Sequence, residues 1–256
     1  MPEKPLILIT NDDGITAPGI RALIQIMNKI GDVIVVAPDS PQSGMGHAIT
    51  VDNVLTCNPI SIDDGPQLEY TCSGTPADCV KMAISEILNK KPDLCVSGIN
   101  HGANSSINVL YSGTMSAAIE AGIKGIPAIG FSLLDFKWHA DFKPAEEFVT
   151  KITLNALLHG LPEGIVLNVN IPNLKAAEIK GTKICRQANG VWKENFDKRK
   201  SPFGKEYYWL SGEFVTKDKG QDTDVYALEN GYVSIVPVQF DLTAHHMIQK
   251  LNSWEL

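Results

Sequence analysis

Residues 6–14 read Leu6-Ile-Leu-Ile-Thr-Asn-Asp-Asp-Gly14. The four leading apolar residues have the composition of a buried strand, and a polar run follows at its carboxyl end. In an open α/β sheet that end is where ligands gather. Adjacent carboxylates on a regular strand point to opposite faces, so Asp12 and Asp13 reach one site only if the chain turns, and Gly14 permits the turn. Two carboxylates confined together repel, so the pair suits a bound cation. A plain polar loop with an aspartate capping the next helix is the alternative, and spacing alone leaves both open.

Outward from this stretch the chain alternates. Pro18 to Lys29 carries apolar residues at helical spacing (Ile20, Leu23, Ile24, Met27), and Val33-Ile-Val-Val-Ala37 is a second strand closed by Pro38. Pro76 to Leu88 reads as a helix with Thr75 as N-cap and proline in its first turn. Leu94–Ser97, Pro127–Phe131 and Ile165–Ile171 read as strands, with helices over Thr114–Ile123 and Pro144–His159 between them. Strands alternating with helices predict an α/β fold with a parallel sheet and right-handed crossovers.

Two stretches depart from the rhythm. Residues 47–72 alternate without helical period and predict a β-hairpin leaving the sheet. Beyond about residue 180 come longer strands, the aromatic-rich Glu206–Val215 and the β-branched Tyr232–Val236, and a closing helix within Asp241–Leu251. Lys193-Glu-Asn-Phe-Asp-Lys-Arg-Lys200 is expected to be a solvated loop. A tail with so little core of its own is expected to pack on the main domain or on another subunit.

Composition bounds the function. The 256 residues are 44% hydrophobic and 20% charged, with a formal charge of −7, ordinary for a globular protein. No general basic field exists to attract duplex nucleic acid. An acidic protein that handles phosphate must find its positive charge locally. The five cysteines lack paired CxxC spacing and read as reduced core residues. The start, Met1-Pro-Glu-Lys-Pro5, is polar, so neither signal peptide nor membrane span is expected, and the chain reads as cytoplasmic.

Four further polar stretches follow strands or open helices. Ala37-Pro-Asp-Ser-Pro-Gln-Ser-Gly-Met-Gly-His-Ala-Ile-Thr50 has glycines that let backbone approach a ligand, and polar atoms on Ser43 and His47. It does not fit the dinucleotide fingerprint, and a glycine-rich turn with a structural histidine explains it equally. Val96-Ser-Gly-Ile-Asn-His-Gly-Ala-Asn104 places Asn100, a neutral oxygen ligand, at a strand end. Tyr111-Ser-Gly-Thr114 opens a helix, where Ser112, Gly113 and Thr114 offer free N–H groups and the favourable end of the dipole to an anion; simple N-capping is the plainer alternative. Ser73-Gly-Thr-Pro-Ala-Asp78 opens another helix, and capping accounts for it as well as ligand binding does. Asp241 and His245, four apart, read as a structural or subunit contact.

Taken in order, TNDDG, APDSPQSGMGHAIT, SGTPADC, SGIN with HGAN, and YSGT resemble the SurE family of stationary-phase survival proteins, which are 5′/3′-nucleotidases and broader phosphatases. The similarity resumes at Asp222-Thr-Asp-Val-Tyr-Ala, at Gly231-Tyr-Val-Ser-Ile and at Asp241-Leu-Thr-Ala244. The resemblance implies a Rossmann-like three-layer α/β/α core over 1–180 and a C-terminal β-rich extension over 181–256 that exchanges elements between subunits in a homo-dimer or tetramer. It implies one divalent metal ion per subunit, held by Asp12, Asp13, Ser43 and Asn100, with phosphate bound by Asn11 and by Ser112, Gly113 and Thr114. That donor set is all oxygen and favours Mg²⁺ or Mn²⁺ over zinc. Asp12, Asp13 and Asn100 are then the catalytic candidates, with Asp12 or Asp13 orienting the attacking water or taking its proton.

The implied substrates are small phosphorylated metabolites, nucleoside 5′-monophosphates first, with 3′-monophosphates and short polyphosphate as further candidates. Adjacent aspartates argue against the covalent aspartyl-phosphate route of haloacid-dehalogenase-like enzymes, which use DxD. A nucleotide-binding regulatory module that grips phosphate without cleaving it is the rival from another class. Met115 and Ser116 depart from the smaller or apolar residues expected there, and Ser105-Ser-Ile-Asn108 lacks the glycine often found in that loop.

Overall fold

Residues 4–254 are described by the computed structural model of the chain; the polar leader Met1-Pro-Glu3 lies outside the described residues. In chain order the elements are β1 (Leu6–Thr10), α1 (Pro18–Met27), β2 (Asp32–Pro38), β3 (Cys57–Ile60), β4 (Leu68–Cys72) and α2 (Pro76–Met82), which runs on as a π turn over Ala83–Ile87. Then follow β5 (Leu94–His101), a 3₁₀ turn (Ser106–Leu110), α3 (Gly113–Ile123), β6 (Ala128–Leu133), α4 (Glu146–His159) and β7 (Ile165–Ile171). The chain closes with β8 (Thr182–Ile184), β9 (Gly190–Lys200), β10 (Glu206–Thr216), α5 (Asp224–Glu229), β11 (Val233–Gln239) and α6 (His245–Leu251).

Nine strands form one sheet in the order β3-β4-β2-β1-β5-β6-β7-β11-β8. Pairing is parallel except for β3 with β4 and β11 with β7. Successive side chains on a strand alternate between faces, and both faces of this sheet are covered, which explains why β1 reads as a continuous apolar run. Ile7 and Ile9 join a core with Ile20, Leu23 and Ile24 of α1 and Val149 and Ile152 of α4. Leu8 turns to the opposite core, formed with Cys79 and Val80 of α2 and Met115, Ala117 and Ala118 of α3. Burying each of the larger side chains contributes about 1.5–3 kcal/mol. The result is three layers, with α1 and α4 on one face and α2 and α3 on the other.

The helix starts follow the chemistry of their caps. Thr75 and Asp78 form a capping box at α2, with proline in the first turn, and the Ser112 side chain accepts from the Met115 N–H at the start of α3. Among the described residues no helix is long and apolar enough to cross a membrane. All five cysteines are unpaired, four of them buried.

Two expectations are corrected. The hairpin around 47–72 does not leave the sheet: β4 pairs in parallel with β2, from Ile34 opposite Leu68 to Pro38 opposite Cys72. Tyr70 and Cys72 pack on the α2–α3 side. Glu69, just before Tyr70 on the strand, is buried yet paired with Arg21, so its charge is accommodated inside the sheet. Nor is Lys193–Lys200 a loop. It belongs to β9, which pairs with β10 over eleven consecutive positions. A two-stranded ribbon open to water on both faces needs no apolar alternation, and cross-strand pairs such as Lys198–Glu206 at 2.9 Å accommodate its charges. Beyond residue 180 the chain divides: β8 and β11 join the main sheet, while β9 and β10 stand apart as a separate ribbon.

Candidate active site

The loop after β1 is held by its own backbone and by its neighbours. Gly14 takes φ +96°, a conformation that favours glycine, and its carbonyl accepts from Asn11 Nδ2 at 2.9 Å. Ile15 N–H donates to the Pro38 carbonyl at 2.9 Å, and Gln42 N–H donates to the Asp12 carbonyl at 2.7 Å. The loops after β1 and β2 are thereby fastened together. Ser43 follows directly on Gln42 and is exposed, and Gly46 N–H, at the far end of that loop, donates to the Tyr111 carbonyl at 3.1 Å.

The loop after β5 completes the group. The β5–β6 register shifts between Ser97 and Asn100, a bulge of the kind that re-aims a side chain. Asn100 Nδ2 donates to the Gly102 carbonyl at 2.8 Å, which leaves the amide oxygen as its ligand atom. His101 N–H donates to Asp13 Oδ2 at 3.2 Å. At the start of α3, Thr114 Oγ1 donates to Asp12 Oδ1 at 2.5 Å. A Cβ on Gly113 would stand 2.5 Å from the Asp12 Cβ, so glycine is required for the helix N-terminus to approach the carboxylate.

Asp12 is buried, at 4% exposure. Desolvation first, and the charge of Asp13 second, push its carboxyl up to about 6, against the pull of the Thr114 hydroxyl and N–H. Burial likewise raises Asp13. Asn11 Oδ1 is buried without a hydrogen-bond partner. Two carboxylates with raised affinity for positive charge, an amide oxygen and a hydroxyl loop make an oxygen donor set that fits a hard divalent cation. No cluster of three or more His, Cys, Asp or Glu able to hold a metal exists among the described residues, so the candidate donors are of mixed type.

The α3 N-terminus differs in detail from a free anion cradle. The Ser112 hydroxyl is spent on capping the Met115 N–H, and the Thr114 hydroxyl and N–H on Asp12, so what this turn offers an anion is the Gly113 N–H. Met115 is fully buried, its sulfur packed over Gly130, and Ser116 Oγ donates to the Gly113 carbonyl at 2.7 Å. His47 Nε2 lies 3.0 Å from Glu120 Oε2, while Lys81 Nζ donates to Glu120 Oε1 at 2.6 Å; His47 therefore ties its loop to α3. Thr75 and Asp78 likewise hold the loop end, Asp78 accepting from Thr50 N–H and Oγ1. His245 and Asp241 pair with each other at 2.8 Å on the surface.

Two residues were missed from the sequence. His101 lies beside Asp13, with Nδ1 2.9 Å from the Lys137 carbonyl and Nε2 buried without a partner. Asp224, fully buried, accepts from Ser106 N–H at 2.7 Å and Ala188 N–H at 2.9 Å. Ser106 adopts φ +55°, where glycine is usual, and its hydroxyl donates to the Ala188 carbonyl at 2.8 Å. The stretch Asp222-Thr-Asp224 was a visible motif; nothing in the sequence ties it to a loop 118 residues away.

Comparison with known proteins bears on this geometry. The family described as Survival protein SurE matches residues 7–194. The chain is 69% identical to a protein named 5′-nucleotidase SurE from Flavobacterium johnsoniae, covering 99% of this chain and 98% of that one. It is 47% identical to the protein of the same name from Bacteroides fragilis, over 99% of each. The crystal structure of the SurE protein from Aquifex aeolicus superposes with a TM-score of 0.83 at 41% identity, covering 97% of this chain and 98% of that one. With a matching family over most of its length, the loop sequences in place and the same fold, the chain belongs to the SurE family.

Proposed function

We propose that the chain is a divalent-cation-dependent phosphomonoesterase, a 5′-nucleotidase that hydrolyses nucleoside 5′-monophosphates to nucleoside and phosphate. The observation that carries this reading is the buried Asp12 carboxylate, held against Asp13 and addressed by the N-terminus of α3. The names of the relatives agree with it. Asp12, Asp13, Ser43 and Asn100 would hold one Mg²⁺ or Mn²⁺ per subunit. Such a cation supplies charge neutralisation at the phosphoryl oxygens and an acidified water.

The protein's own groups do the rest. Asn11, through the second hydrogen of its Nδ2, and the Gly113 N–H would receive the remaining phosphoryl oxygens, where preorganised donors stabilise charge as it develops, while the Thr114 N–H and hydroxyl stay directed at Asp12. Thr114 fixes the Asp12 carboxylate, and Asp13, the less buried of the two, takes the water's proton. The unpaired cysteines support a cytoplasmic location. The projecting β9–β10 ribbon supports a homo-dimer or tetramer.

The test is phosphate release from a panel of phosphate esters with Mg²⁺ or Mn²⁺. Nucleoside 5′-monophosphates are expected to be cleaved, and chelator to abolish cleavage. Asp12→Ala should lower kcat/KM by roughly 10²–10⁴, the loss of several kcal/mol of charge stabilisation. Full activity in Asp12→Ala would remove the metal-ligand assignment. Tight nucleotide binding without phosphate release in the wild type would mark a regulatory module instead.

A further inference from the structure

Just after β6, two large aromatic rings face water: Phe136 is 82% exposed and Trp138 51% exposed. Phe136 lies on Gly102, where an added Cβ would come within 2.2 Å of its ring, and it is the Gly102 carbonyl that fixes Asn100. Trp138 stacks on the His101 imidazole, with centroids 5.8 Å apart and planes within 7°, while the His101 N–H donates to Asp13. Each ring is thus in contact with a residue that bonds a proposed metal ligand.

The segment is built rather than slack. Leu134 N–H donates to the Ile171 carbonyl at 2.9 Å, and Asp135 accepts from Lys137 N–H at 3.0 Å and from Asn173 Nδ2 at 3.1 Å. His101, beneath Trp138, is held by the Lys137 carbonyl and by the edge of Phe142 at 5.1 Å. A chain that fixes two rings this firmly and leaves them wet gains nothing from them in its own core. Aromatic side chains with a free face do stack on nucleobases, and they do so with any base because every base has a π-face.

We propose that Phe136 and Trp138 form the subsite that receives the base of the nucleotide, so that the preferred substrates are phosphomonoesters carrying a planar aromatic ring. The inference rests on the phosphomonoesterase reading above and adds the element that separates a nucleotide from other phosphate esters. The role is one of recognition: neither ring touches the reacting atoms.

The experiment compares a nucleoside 5′-monophosphate with ribose 5-phosphate, which keeps the sugar phosphate and lacks the base. Phe136→Ala and Trp138→Ala should each raise KM for the nucleotide by roughly tenfold, within the range found when stacking aromatics are replaced by alanine. kcat should stay within about twofold, and both constants for ribose 5-phosphate should stay unchanged. Phe136→Tyr and Trp138→Phe should restore the nucleotide KM. Quenching of tryptophan fluorescence by the nucleotide in wild type, lost in Trp138→Phe, gives a binding readout that needs no turnover.

Equal changes for both substrates, with or without altered subunit association, would assign the rings to loop structure or to a subunit contact and overturn the proposal. Unchanged constants for both would overturn it as well. A wild type that cleaves both esters while the variants behave like it leaves the phosphomonoesterase standing; a wild type that cleaves neither overturns both.

Discussion

Asp12 shows how a candidate catalytic residue works against the stability of the protein that carries it. Its folded carboxyl titrates near 6 against an ordinary value of 3.8, so the folded state binds the proton more tightly than the unfolded chain does. That contribution to stability is present at low pH and is lost as pH rises from about 4 to about 6. At neutral pH the metal-free protein therefore carries a penalty of about 3 kcal/mol at this residue. Asp12→Asn should raise the melting temperature of the metal-free protein at pH 7.5, and the gain should fall to about a third near pH 4.5 and toward zero only below about pH 3.8. A denaturation series across that window, with chelator present, checks it; a gain independent of pH would assign the effect to packing.

At the scale of elements, the third loop is placed by groups far from it in sequence. Asn104 N–H donates to Asn170 Oδ1 at 2.7 Å, its side chain donates to Ser132 Oγ at 2.9 Å, and its carbonyl accepts from Asn168 Nδ2 at 2.8 Å. The ends of β6 and β7 thus grip the chain just before Ser106, and α5 grips Ser106 through Asp224. Asp224→Ala would leave two buried N–H groups unpaired, at about 1–3 kcal/mol each. A loss of roughly 2–4 kcal/mol in chemical denaturation is expected, with a larger fall in kcat than in a surface control. Asp12, Gly14 and the strand before them were legible because strand, turn and carboxylates lie within nine consecutive residues. The holders of the third loop were not, since a buried asparagine or aspartate announces itself only through its partners.

The whole molecule is a three-layer sheet protein with a ribbon projecting from it. At its root Trp192 Nε1 donates to Asn108 Oδ1 at 2.7 Å, just before the turn that opens α3, and Trp192 packs edge-on to Phe214 at 6.0 Å. Farther out Phe196 and Leu210 are register partners, exposed at 62% and 65%. A two-stranded ribbon is marginal by itself in water, and on the homo-oligomer reading proposed above a second copy of the chain would cover this exposed apolar pair. Phe196→Glu with Leu210→Glu should give a species near the monomer mass of 27.8 kDa by light scattering; an unchanged oligomer would move the contact elsewhere.

The sequence by itself determined the alternation of strands and helices, the helix caps at Thr75 and Ser112, and the adjacent carboxylates beside a turn at the end of the first strand. These are local quantities: periodicity, turn chemistry and charge read within a dozen residues. Only the tertiary structure decided that the hairpin around 47–72 extends the sheet, that Lys193–Lys200 is a strand, and that Asp224 and His101 belong with the loops they hold. Each of those depends on a partner brought close by the fold. The carboxylates beside Gly14 were visible from the start; Thr114 on Asp12, and the burial that raises its pKa, exist only once α3 and β1 meet.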